Sequence, residues 1–126
     1  KTFFDDTEDD RVVFKKEDYF EKTDTELHNK IEWIIPNAQK NIMEPIRLTL
    51  EPGGSTYPDN PHEGEEFGYV LSGAISIIVG NKIYKAKKGE AFYDNNIKYF
   101  NNNATINNRF ECWHKRFQKI KRNSRR

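Results

Sequence analysis

The sequence predicts an all-β domain, a sandwich or a barrel of short strands, and three observations carry that expectation. About eight apolar or alternating runs recur at spacings of about ten residues, the rhythm of such folds. Nearly every junction between them holds Gly, Asn or Pro. No segment sustains a helical period.

Each run can be placed in order. Asp5, Asp6, Glu8, Asp9 and Asp10 stand ahead of Val12-Val13-Phe14, so an acidic, solvated lead-in, residues 1–10, precedes a first edge strand. Lys30 to Ile35 alternates as K-I-E-W-I-I and stops at Pro36, which has no amide hydrogen to give a ladder. Residues 36–41 read as loop. Ile46 to Leu50 alternates again and runs into Pro52-Gly53-Gly54, a third strand ending in a tight turn. Glu65 to Leu71 and Ala74 to Val79 are two further apolar runs with only Ser72-Gly73 between them. Gly80-Asn81 marks a hairpin into Lys82-Ile83-Tyr84, because both residues accept the positive φ of a two-residue turn. Lys87-Lys88-Gly89 turns the chain into Ala91-Phe92-Tyr93, and after an Asn-rich stretch the last strand spans Arg109 to Trp113.

A chain of 126 residues makes about one domain with a single core. Its composition, 35% hydrophobic and 13% aromatic, is globular, and a 33% charged fraction makes the surface polar. No apolar run is long enough for a membrane-spanning helix. The single cysteine, Cys112, has no partner in the chain for a disulfide, which favours a reducing compartment or a bridge between chains. A buried small hydrophobe is the expectation for it; His114 shares its strand face without making it a nucleophile. The net charge of +1 is uneven: residues 115–126 hold seven Lys or Arg and no acid, leaving the other 114 residues with 14 basic and 20 acidic groups. That tail reads as a solvated terminus rather than a nucleic-acid contact, since it lacks stacking aromatics beyond Phe117. The start, Lys1-Thr2-Phe3-Phe4, has no initiator Met and no apolar signal core, so a preceding domain is expected.

A jelly roll closes short strands on themselves and leaves few exposed edges, but composition alone does not separate it from an immunoglobulin-like sandwich. The stretch from Glu51 to Gly73 does. Glu51-Pro52-Gly53-Gly54 leads to His62-Glu63-Gly64-Glu65-Glu66-Phe67-Gly68-Tyr69-Val70-Leu71-Ser72-Gly73, with three residues between His62 and Glu66 and six between Glu66 and Gly73. This resembles the first conserved motif of small cupins, and Tyr84 to Tyr93 resembles the start of the second. Together with Val12 to Phe14, Trp33 to Asn37 and Met43-Glu44-Pro45, these segments are most similar to the C-terminal sensor domain of bacterial helix-turn-helix transcriptional regulators of the XRE type. The resemblance covers Arg11 to Trp113.

What the resemblance implies is a cupin-type jelly-roll barrel, or double-stranded β-helix, over residues 11–114, followed by a basic tail over 115–126. It implies a cytoplasmic sensor domain that binds a small-molecule effector, forms a homodimer, and meets DNA only through a helix-turn-helix domain absent from the chain. The alternative is a stand-alone small cupin enzyme, a metal-dependent oxygenase or isomerase.

The departures from the cupin pattern bear on the metal. A cupin metal site converges three imidazoles and a carboxylate. Here Asn60 stands where a histidine is usual, and Asp94 to Asn101 contains none. The three histidines are His28, His62 and His114, and only His62 occupies a ligand place. No metal, cofactor or catalytic residue is therefore expected, unless His28 or His114 folds into the barrel.

The expected ligand-binding residues are Arg47, Asn60, His62, Glu66, Tyr93, Tyr99 and Trp113. Asn60, His62 and Glu66 share strand parity and can all face the interior. A carboxylate there needs a partner, and Arg47 on the preceding strand is a candidate counter-ion. Tyr93, Tyr99, Trp113 and Trp33 are candidates for a cavity wall, although most strand aromatics fill the core. Glu66 among tyrosines suits an amine ligand.

Overall fold

The computed structural model describes residues 11–36, 43–58, 64–103 and 109–118, the last four as backbone. Among them the chain forms nine strands and one short 3-10 turn, Lys16–Asp18: β1 (Phe20–Asp24), β2 (Asn29–Trp33), β3 (Met43–Leu50), β4 (Gly64–Ser72), β5 (Ala74–Val79), β6 (Lys82–Lys87), β7 (Ala91–Asp94), β8 (Ile97–Asn101) and β9 (Phe110–Gln118). Two antiparallel sheets result, one of six strands in the order β1-β2-β3-β9-β4-β7 and one of three in the order β6-β5-β8. This is the jelly-roll arrangement expected of the sequence.

The core lies between the sheets and follows strand parity. Leu48 and Leu50 on β3, Val70 on β4, Ile75 and Ile77 on β5, Ala86 on β6, Ile97 and Phe100 on β8, and Phe110 and Cys112 on β9 form one buried cluster. Each large side chain fully removed from water contributes roughly 1.5–3 kcal/mol. Cys112 is one of these core residues, as the sequence predicts, and burial pushes its thiol pKa up to about 12.

The start of the chain differs from expectation. Val12 and Val13 are 87% and 71% exposed and belong to no strand, and Phe14 packs under the Arg11 guanidinium instead. The first strand is Phe20–Asp24, which has a single large apolar residue and gains its order from pairing with β2, Phe20 opposite Trp33. The second run ends at Trp33, two residues short of Ile35. Ile97–Asn101 adds a strand that its mixed sequence did not announce. The last strand passes Trp113 and continues to Gln118, into the segment read as tail.

The turn after β3 is clamped from two sides. Buried Asn102 donates through Nδ2 to the carbonyls of Leu50 and Glu51, while its own backbone exchanges bonds with Gly53 and Gly54. A Cβ on Gly54 would meet the His28 carbonyl oxygen at 2.4 Å, so only glycine lets this turn lie against the β1–β2 connection. Asn29 completes the clamp by donating to the carbonyl of Ser55. One mouth of the barrel is fixed by these contacts.

Candidate functional site

Strand register sets what faces the interior. Trp33, Ile46, His114, Gly68 and Phe92 lie in one row across β2, β3, β9, β4 and β7. Gly68 matters because a Cβ there would sit 2.1 Å from the Phe92 ring. Its absence lets Phe92 lie over β4 and reach His114, with ring centroids 6.0 Å apart. Phe100 from the other sheet closes on the same imidazole at 5.4 Å, nearly edge-on.

Glu66, one step along β4 on the same face, approaches the imidazole to place Oε1 3.0 Å from His114 Nε2. Both are buried, at 1% and 4% exposure. The bond joins one carboxylate oxygen to the imidazole edge that faces β4. His114 Nδ1 is also buried and has no hydrogen-bond partner among the described residues. The ring is thus held by a carboxylate on one edge and two phenyl faces, with one polar atom left over.

His114 also lines a cavity of about 230 Å³ at the mouth fixed by Asn29 and the glycine turn. Its apolar wall is Ile31, Trp33, Ile46, Leu48 and Phe100, and Lys22, Asp24, Asn29, Thr56 and Tyr57 supply the polar rim. Most of the polar atoms are engaged by the protein itself. Trp33 Nε1 donates to Glu44, Thr56 Oγ1 accepts from the Phe100 amide, and Asp24 Oδ1 accepts from the amides of Glu26 and Leu27. The volume falls below the roughly 300–1,000 Å³ typical of drug-sized ligands.

The residues expected at the site are distributed unevenly. Glu66 is interior, paired to His114 rather than to Arg47. Arg47 belongs to a different row, with Glu32, Trp113 and Tyr69, and pairs with Glu111 at 2.5 Å while its guanidinium lies over the Trp113 ring. Trp113 is 36% exposed and Tyr93 61% exposed, the latter's hydroxyl pKa raised by desolvation and by neighbouring Glu65. Arg47, Trp113 and Tyr93 therefore face outward, because Arg47 and Trp113 alternate with buried Leu48 and Cys112, and Tyr93 with half-buried Phe92. Tyr99 is half-buried on β8 and is not among the residues of the cavity wall. Asn60 and His62 lie outside the described residues.

His114 is the residue that the site reading left out. Parity with Phe110 and Cys112 in the run F-E-C-W-H was the available signal. His28 does not join it; it stands exposed in the β1–β2 connection with φ 55°. Among the described residues no three His, Cys, Asp or Glu side chains stand together as a metal site. Glu66 and His114 supply two donors already bonded to each other, so these residues alone do not fit a cupin metal centre.

A cupin-domain family model matches residues 46–97. No curated protein matches the sequence. Among solved structures, the cupin domain of Schizosaccharomyces pombe Cnp3 superposes with a TM-score of 0.70 at 12% identity, covering 90% of this chain and 79% of that one. A predicted oxalate decarboxylase from Thermotoga maritima gives 0.68 at 16% identity, covering 86% and 100%. An HTH_3 family transcriptional regulator from Vibrio cholerae gives 0.61 at 15% identity, and the match covers 76% of this chain and 54% of that protein. At these identities the likeness is one of fold.

Proposed function

We propose that this chain, whose fold is that of the cupins, is the effector-binding sensor domain of a bacterial transcriptional regulator. The observation that carries this reading is the small cavity walled by Trp33, Ile46, Leu48 and Phe100, with the buried His114–Glu66 pair at its side. Fixed polar groups set in an apolar wall recognise a ligand without needing to transform it. The motif resemblance to XRE-type sensor domains supports the regulatory role, as does the shared fold with the Vibrio cholerae regulator. DNA contact then belongs to a helix-turn-helix domain outside this sequence, and the effector acts by its different affinity for two arrangements of the whole protein.

Pairing of two copies is part of the same proposal. Tyr69 and Trp113 stand side by side on the outer face of the large sheet, 43% and 36% exposed, an apolar surface that a second copy would cover.

A second reading is favoured by one observation, the presence of His114 beside Glu66 in the interior. A small cupin enzyme, an oxygenase or isomerase, requires such an added imidazole. Elemental analysis of protein purified without chelator, run beside turnover assays, separates the two. The sensor reading expects no stoichiometric transition metal and no turnover; stoichiometric iron, manganese or nickel with turnover would establish the enzyme.

A further inference from the structure

We propose that the cavity takes a small organic anion with an apolar body, a monocarboxylate of aromatic or branched aliphatic type, whose carboxylate sits at Lys22. This rests on the sensor reading of the same cavity and adds the chemistry of its ligand.

The wall has several polar groups committed to bonds within the protein. Its acid, Asp24, holds the β1–β2 turn by accepting two backbone amides. Asn29 donates to Ser55, Thr56 accepts from Phe100, and Trp33 donates to Glu44. Glu66 is not on the wall and is bonded to His114. A cationic ligand would therefore meet one carboxylate on the lining, Asp24, one of whose oxygens already accepts two backbone amides.

Lys22 is different. It lies on the inner face of β1, opposite Ile31, and contributes to the cavity rim. It forms no ion pair among the described residues, whereas Lys30, on the other face of the same hairpin, is paired with Glu21 at 3.3 Å. A lysine on the rim of an apolar pocket, with no ion pair among the described residues, is complementary to a ligand with one negative end. The walls below it, Ile31, Trp33, Ile46, Leu48 and Phe100, offer aliphatic and aromatic surface, with the His114 imidazole as the one other basic group on the lining. A volume of 230 Å³ holds about seven waters' worth of ligand, which limits the body to one ring or a short branched chain. An amine, expected from Glu66 and the tyrosines, would instead have to be held by Asp24, since Glu66 is not on the lining.

The test uses three molecules of one shape and different charge: phenylacetate, phenylacetamide and phenethylamine. Trp33 on the wall is the reporter, read in a Trp113→Phe background so that it is the only indole. The expected result is saturable change with phenylacetate, at least tenfold weaker binding of the amide and none of the amine. Lys22→Gln should weaken phenylacetate by about fivefold, the scale of a partly solvated ion pair, and leave the amide unchanged. Lys30→Gln should change neither. Rising salt should weaken the anion alone. Binding of the amine at least as tight as that of the anion, or an unchanged affinity in Lys22→Gln, would overturn the anion assignment and leave the sensor reading standing. Failure of all three to bind would also overturn it. Chemical conversion of a bound compound would instead overturn the sensor reading.

Discussion

Glu66 and His114 lie 48 residues apart in sequence and meet at 3.0 Å inside the barrel, on neighbouring strands β4 and β9. The contact joins the carboxylate of the recognisable cupin motif to a histidine far outside it. It also holds the imidazole ring in one orientation.

Removing one partner leaves the other polar group buried without its main bond. His114→Phe is expected to destabilise the domain by about 3–5 kcal/mol in urea unfolding. The double variant Glu66→Leu, His114→Phe should recover part of that loss, because both desolvated polar groups are then gone. Strict additivity of the two single changes would show that the pair is not coupled.

Gly68 is required by the Phe92 ring that crosses it. Gly68→Ala should cost about 1–3 kcal/mol through overpacking, since the added methyl would lie 2.1 Å from that ring. Adding Phe92→Leu should return much of the stability while loosening the packing against His114. Circular dichroism melts of the three proteins measure both effects.

Arg47 on the outer face should be dispensable for ligand binding. Its ion pair with Glu111 is partly solvated, so Arg47→Met should lower stability by about 1 kcal/mol or less. Affinity for phenylacetate, read from Trp33, should not change. A large loss of affinity would return Arg47 to the binding site.

Cys112 makes stability fall in alkali. Its folded pKa is raised to about 12 by burial, so above about 9 the unfolded chain loses the thiol proton while the folded chain keeps it. The unfolded state then binds fewer protons, and unfolding free energy drops as pH rises through that window. Cys112→Val should flatten this part of the profile. Native protein should also resist iodoacetamide at pH 8 until it is unfolded.

Parity and turn residues made much of this legible in advance. Ile46 to Leu50, the Gly80-Asn81 hairpin and the run Glu65 to Leu71 all fall where their sequence puts them. Val12 to Phe14 misled because an apolar triplet without a partner strand stays solvated, while Phe20–Asp24 is held by pairing that its own residues do not advertise. At the site, Arg47 and Trp113 were chosen for chemistry although their alternation with Leu48 and Cys112 already placed them outward. His114 needed the opposite inference: the same alternation puts it inward, but only the fold brings it to Glu66. The cavity itself was not legible, because it is framed by β1, β2 and the loop after β3, which meet only in three dimensions.

A crystal structure of the chain purified and crystallised without chelator is the most direct test of the barrel as a binding site. The expected result is density for a small organic molecule along Trp33, Ile46 and Phe100, with Glu66 and His114 still bonded to each other. A transition-metal ion seated on Glu66 and His114, breaking that bond, would contradict it.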